Sequence, residues 1–242
     1  LTAACAPRAL VLEKILFCDP RDYDAADALL GAAPRVWVNC PRASAPGYAW
    51  LRAAAAESGP IRMTVAGSRL NLLSNAMHFL ELFRFLAGRP EAPLALDGRG
   101  LGPLEPARRP GYVDAQGDLR AETDRGDRLN IHSARGGAAP MTLTLFCDDG
   151  RRFAVDERAD AVTALDGDGA TDAPARRPLG LMQISELAPV WAEAVAGRPI
   201  PLPRYAASAA LHRAFLACLA PLAARAGSGA ASSGAAGPLA IT

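Results

Sequence analysis

The feature that most constrains this chain is an alternation of short apolar runs and helix-forming stretches near its start. Residues 9–17 (ALVLEKILF) form an apolar run of strand length, interrupted by the charged pair Glu13-Lys14. A helix is expected next, with Asp19 at its N-cap, Pro20 at the first helical position, Asp22 in the first turn and Gly31 to close it. Residues 35–39 (RVWVN) read as a second strand, rich in β-branched and aromatic side chains and broken by Cys40-Pro41-Arg42. Ser44 can cap a further helix through Tyr48, Trp50 and Leu51 that ends near Gly59-Pro60. Ile61, Met63 and Val65 then alternate with Arg62 and Thr64, the pattern of a half-buried strand. Strand, helix, strand, helix, strand favours an α/β arrangement. The first two strands should lie side by side in a small parallel sheet, joined by a right-handed helical crossover.

Residues 72–87 give the clearest helix. Leu73, Ala76, Met77, Leu80, Phe83 and Ala87 fall at helical spacing, and Gly88 with Pro90 stops it. From 93 to about 156 the character changes to short β segments divided by Gly, Pro and Asp. The best is a hairpin, MTLTLFC over 141–147 and RRFAV over 151–155, turning at Asp148-Asp149-Gly150. Strand character fades after Asp156 and Glu157, and 166–180 read as loop. A helix is expected over 184–196, closed by Gly197 and Pro199, and a last one over 205–224 with Leu211, Phe215 and Leu219 on one face. The Ala/Gly/Ser-rich stretch 226–242 is expected to be disordered.

Composition narrows the function classes. Half of the 242 residues are hydrophobic, enough for one large domain or two small ones. The net charge is +1, and the basic residues, nearly all Arg, are scattered without interleaved aromatics, so a nucleic-acid partner is not expected. Five cysteines lie far apart with no zinc-like spacing, which suits small apolar residues in a reducing cytoplasm. The chain has no run of eighteen uncharged apolar residues, so no membrane span is expected. Leu1 opens it without a basic, signal-like start.

Three clusters could carry chemistry. Glu13-Lys14 is a charged pair inside an apolar strand, costly unless paired or facing a cavity, and a desolvated Lys exchanges protons readily. The plainer account is an edge strand whose Lys reaches solvent. His78 has Ser74 four residues before it and Glu81 three after, a helix face distinct from the Leu73/Met77/Leu80 stripe. Such an imidazole could act as a general acid/base oriented by Glu81, although a lone helical His is more often structural. Asn39, Pro41 and Arg42 follow a strand, where polar groups suit ligand contacts or an ordinary connector. His132 and His212 read as structural. No Gly-rich phosphate loop is present, since Gly98-Arg99-Gly100-Leu101-Gly102 runs into Pro103 rather than a helix.

Taken in order, Leu12-Glu13-Lys14-Ile15, Val38-Asn39-Cys40-Pro41-Arg42, Ser74-Asn75-Ala76-Met77-His78 and Pro201-Leu202-Pro203 before His212 resemble one family. It is the glucose–fructose oxidoreductase/inositol dehydrogenase (Gfo/Idh/MocA) family. In that family a strand ends in Glu-Lys-Pro, a later one in an Asn/Arg-containing segment before Pro, and a helix carries Asp-x-x-x-His. The likeness runs from about Ala9 to Ala224.

The resemblance implies the end of a Rossmann-like parallel sheet over 1–43, then an α/β (α+β) domain with a mainly antiparallel open sheet over 44–225. The implied activity is oxidation or reduction of a sugar, sugar-nucleotide or polyol with NAD or NADP, Lys14 and His78 flanking the reacting carbon. Glu13, Asn39, Arg42, Ser74, Asn75 and Glu81 would touch substrate, and the open sheet would meet a second subunit. Ile15 stands where the family has Pro, and Ser74 where it has Asp. The family's Gly-rich segment would precede Leu1, roughly 60 to 90 residues at about 30 per βαβ unit. The other readings are a non-catalytic relative that binds a sugar or serves as an assembly partner, and an unrelated α+β domain.

Overall fold

The computed structural model describes residues 7–30, 35–165, 176–229 and 239–241. It opens with β1 (Leu10–Glu13), α1 (Pro20–Leu30) and β2 (Val36–Asn39). The two strands pair in parallel, Leu10 opposite Val36 through Glu13 opposite Asn39, and α1 supplies the crossover that a parallel pair requires. Asp19 starts that helix, its Oδ1 accepting the Arg21 N–H at 2.9 Å, while Tyr23 and Ala26 form the buried face. The first strand is shorter than the apolar run 9–17. The chain leaves it after Glu13 because the Tyr23 hydroxyl holds the Phe17 backbone, donating to its carbonyl at 3.1 Å and accepting its N–H at 3.3 Å. The Lys14–Ile15 peptide bond is cis. Gly31, the expected helix stop, lies outside the described residues.

A 3₁₀ turn (Pro41–Ser44) leads into α2 (Pro46–Ala55). Ser44 does not cap it. Ala45 takes the cap position ahead of Pro46, and the Ser44 hydroxyl is buried without a partner. Next come β3 (Ile61–Ser68) and α3 (Leu72–Leu86). Asp114 does for α3 what an N-cap residue usually does, its Oδ1 accepting the Leu73 N–H at 2.8 Å. The strands that follow are β4 (Ala95–Leu101), β5 (Glu105–Pro106), β6 (Val113–Asp114), β7 (Gly117–Glu122), β8 (Arg128–Ala134), β9 (Thr142–Cys147), β10 (Arg152–Asp156), β11 (Ala161–Ala164) and β12 (Arg176–Pro178). α4 (Ala188–Val195) and α5 (Tyr205–Gly229) complete the set.

Eight of these strands make one sheet in the order β12-β11-β10-β9-β3-β8-β7-β4. Every neighbouring pair is antiparallel except β3 with β8. Alternation fixes its faces. Ile61, Met63 and Val65 of β3 point inward with Leu129, Ile131, Leu143 and Leu145, and α3 lays Leu73, Met77, Leu80 and Phe83 into the same core. Arg62, Thr64 and Asn130 stand on the other face, which no helix among the described residues covers completely. The fold is therefore the expected mixed α/β one, with a mainly antiparallel sheet.

Three elements differ from expectation. β11 and β12 were expected to be loop; they extend the sheet from the β9–β10 hairpin, while residues 166–175 lie outside the described residues. The helix expected over 184–196 is two pieces, a 3₁₀ turn (Ile184–Glu186) and α4, because Pro189 can be tolerated only in a first turn. The disorder expected over 226–242 is corrected at both ends. α5 continues to Gly229, and Ile241 is 3% exposed, with the Ala240 carbonyl accepting the Val113 N–H at 2.9 Å. Residues 230–238 lie outside the described residues. α5 is long and apolar enough to cross a bilayer by length and composition, but here Leu211, Phe215, Leu219 and Leu222 belong to the core.

Candidate active site

The parallel pair β1–β2 ends with Glu13 beside Asn39, and Lys14 and Arg42 follow at the carboxyl ends of the two strands, where ligands gather in α/β sheets. α3 brings His78 to the same place. Residues 181–184, the strap that leads into the 3₁₀ turn, line it as well. Together Glu13, Lys14, Asn39, Arg42, His78 and the strap enclose a cavity of about 270 Å³.

Lys14 is tied across to α3. Its Nζ donates to the Ser74 carbonyl at 2.8 Å, with the Ser74 Oγ further off at 3.4 Å. Burial pushes the ammonium's pKa down, and Arg42 adds to that; Cys40 and Glu13 oppose it. Cys40 gives little help at neutral pH, because burial pushes its own thiol far up and leaves it uncharged. Lys14 is thus an amine held below the usual lysine range.

His78 is half-buried. Burial first, then the positive charges of Arg42 and Lys14 and its neighbour His212, push it down to about 3, so the imidazole is neutral through the physiological range. Its Nδ1 is buried with no hydrogen-bond partner. That corrects the expected role of Glu81. The Glu81 carboxylate turns to Arg84 at 3.3 Å, both side chains being nearly inaccessible, and its other oxygen has no partner. Arg84, 1% exposed, needs a counter-charge more than a neutral imidazole needs an orienter. Burial raises the Glu81 carboxyl more than Arg84 lowers it. Glu81 faces a separate cavity beside Trp37 and the segment 199–204. Asn75 does not line the site either; its amide donates to the Leu70 carbonyl at 2.6 Å and completes the turn into α3. Ser74 meets the site only through Lys14.

Arg42 lines the cavity with its charge already committed. Glu157 grips it in a fork of 2.6 and 2.9 Å, Tyr48 donates to the same carboxylate at 2.7 Å, and the guanidinium lies 4.5 Å from the Phe79 ring centre. Asn39 donates its amide to Glu13, leaving its own Oδ1 buried and unpartnered. Sequence reasoning missed Glu157, the strap and His212. Glu157 follows a strand end with no pattern around it, and the strap lies in what read as loop and helix start. His212 left a local signal, Ser208 one turn before it, whose carbonyl lies 2.8 Å from the His212 Nδ1. His132 sits on the open face against Asp118 at 3.1 Å, away from the cavity.

A dinucleotide's diphosphate finds no fit here. The turn from β1 into α1 has no glycine, and the Asp19 carboxylate already occupies the helix N-terminus. β2 runs directly into Cys40-Pro41.

The mixed α/β fold with its mainly antiparallel eight-stranded sheet matches that of Gfo/Idh/MocA-type oxidoreductases, and solved structures similar to this chain include a putative myo-inositol dehydrogenase from Sinorhizobium meliloti and a levoglucosan dehydrogenase. An oxidoreductase domain protein from Kribbella flavida superposes with a TM-score of 0.62 at 16% identity, over 90% of this chain and 72% of its own. A UDP-N-acetylglucosamine 3-dehydrogenase from Acidithiobacillus ferrooxidans gives 0.60 at 16%, over 87% of this chain and 68% of its own. A super-repressor mutant of Gal80p from Saccharomyces cerevisiae gives 0.60 at 7%, over 87% and 69%. At these identities the likeness is one of fold. No protein-family model matches the sequence, and no curated protein sequence does.

Proposed function

We propose that this chain forms the substrate-binding part of an NAD(P)-dependent oxidoreductase acting on a sugar, sugar-nucleotide or polyol hydroxyl. The observation that carries the reading is the convergence of Lys14, just after β1, and His78, on α3, on one cavity at the ends of parallel strands. These residues' share of the reaction is the proton. Lys14 Nζ, easily deprotonated in its half-buried site, accepts the hydroxyl proton in the oxidising direction and returns it in the reducing one. Neutral His78 and the Glu13–Asn39 pair meet neighbouring hydroxyls and so orient the one that reacts. The dinucleotide's diphosphate would be held by residues other than these. The open sheet face suits a second subunit, and Cys18, Cys40 and Cys218, which form no disulfide, suit a cytoplasmic setting.

A second reading is a non-catalytic relative that binds a sugar or serves in an assembly. Ser74 in place of the family's Asp favours it, and so does a repressor among the structural neighbours.

Ligand-detected NMR with a panel of polyols, hexoses and UDP-sugars tests both. One class should bind the wild-type chain and lose binding in Lys14→Ala and His78→Ala. Binding equal in all three proteins would remove the cavity from consideration. Binding that depends on Lys14 and His78, without NAD(P)-dependent turnover in any form of the protein, would select the second reading.

A further inference from the structure

α3 and α5 touch through side chains. Arg84 donates to the Ala207 carbonyl at 3.3 Å, and Glu81, one turn back, faces Ser208. One further turn in each direction reaches His78 on α3 and His212 on α5. His212 is fully buried in the helix interface, and its ring lies 6.3 Å from that of Tyr23.

Hydrogen-bond chemistry fixes the His212 tautomer. The Ser208 carbonyl at 2.8 Å can only accept, so Nδ1 carries the proton. Burial holds the ring neutral, pushed down to about 4. Its Nε2 is therefore a bare lone pair, buried and without a partner. The His78 Nδ1 is the matching orphan, also buried and unpartnered. His212 is near enough to His78 to act on its charge, and one buried water with these two orphaned ring nitrogens as partners would satisfy both.

We propose that His212 is the positioning residue of this site: its Nε2 takes up the Nδ1–H of His78 through one bridging water, which leaves the His78 Nε2 lone pair free as the acceptor for a substrate hydroxyl. The proposal rests on the cavity being the substrate site, and it assigns to His212 the orienting role that Glu81 does not fill. It also gives a use to a buried polar group that packing alone would replace with an apolar one.

Long-range ¹H–¹⁵N spectra of histidine-labelled protein at pH 7 read the tautomers directly, and the chain has only three histidines to assign. His132, exposed on β8, serves as the internal control. In the wild type both His212 and His78 should be Nδ1-protonated. In His212→Phe, which fills the space without an acceptor, His78 should become a mixture or turn to the Nε2-protonated form; in His212→Gln, whose amide oxygen can accept, it should keep its wild-type form. A wild-type His78 protonated on Nε2 overturns the proposal even if no variant folds. So does a His78 whose tautomer is the same in His212→Phe as in the wild type. The spectra need neither substrate nor turnover, so their failure leaves the substrate-site reading standing. Failure of that reading in the ligand panel would leave the tautomer result intact.

Discussion

Lys14 Nζ donates to the main-chain carbonyl of Ser74 at 2.8 Å, across sixty positions of sequence, and only secondarily approaches the Ser74 hydroxyl at 3.4 Å. The site's central cation is therefore anchored by backbone rather than by a side-chain charge. Ser74→Ala should leave Lys14 in place and change ligand affinity by no more than the roughly 0.5 kcal/mol that a long neutral hydrogen bond contributes. Ser74→Asp should raise the Lys14 pKa, because a carboxylate beside the ammonium favours its charged form. Titration of the Lys14 side-chain NMR signal checks both variants, and an Asp variant that titrates at or below the wild-type pH would contradict the geometry.

Removing either group at the cavity should separate chemistry from folding. Neither Lys14 nor His78 belongs to the buried apolar core, so Lys14→Ala and His78→Ala should retain the wild-type circular dichroism spectrum. If the protein turns over a sugar or polyol, each should lower turnover by about 10²-fold, the usual scale for losing a proton-transfer group. Glu81→Gln should leave turnover close to wild type, since its carboxylate serves Arg84. Full activity in His78→Ala would end the catalytic reading.

Periodicity made much of this legible in the sequence. The Leu73-Ala76-Met77-Leu80 spacing located α3, alternation located β3 and the β9–β10 hairpin, and Asp19-Pro20 located the start of α1. β12 could not be read that way. Arg176-Arg177-Pro178 is exposed throughout, and pairing with β11, not a local preference, makes it a strand. Lys14 and His78 stood out because each is polar in an apolar surrounding. Glu81 shows where such reasoning fails. Its helix spacing to His78 was right, but spacing does not reveal that Arg84 is buried and takes the carboxylate. Glu157 and His212 owe their roles to chain segments far away in sequence.

The Arg42–Glu157 pair carries a stability prediction. Both side chains are largely buried, and the pair is fork-shaped and shared with Tyr48. Glu157→Gln would leave the Arg42 charge buried without its counter-ion, a loss of roughly 3 kcal/mol or more. Urea unfolding should show it as a lower midpoint with an unchanged slope. Arg42→Met combined with Glu157→Leu should lose less than Glu157→Gln, because no charge is then stranded. A double variant less stable than Glu157→Gln would mean that the pair is net stabilising here.

The two buried imidazoles set an acid limit on the fold. Burial is the first cause in pushing His78 to about 3 and His212 to about 4, against 6.5 ordinarily. In the unfolded chain both take up protons as the pH drops below about 6.5, whereas in the folded chain they remain neutral until about 4 and 3. Across that window the unfolded state binds more protons, so stability falls as the pH falls. At pH 5 the loss relative to pH 7 should be about 2 kcal/mol for His212 and less for the half-buried His78. Glu81 and Asp114, raised by burial, act in the opposite sense and blunt the loss at the acid end. Lys14, lowered, should add stability as the pH climbs toward 10.5. Urea midpoints measured between pH 5 and 7 should therefore fall with acidity in the wild type and fall less in His212→Gln, which removes one of the two titrating rings. An identical acid dependence in that variant would show that His212 is not held neutral in the folded protein.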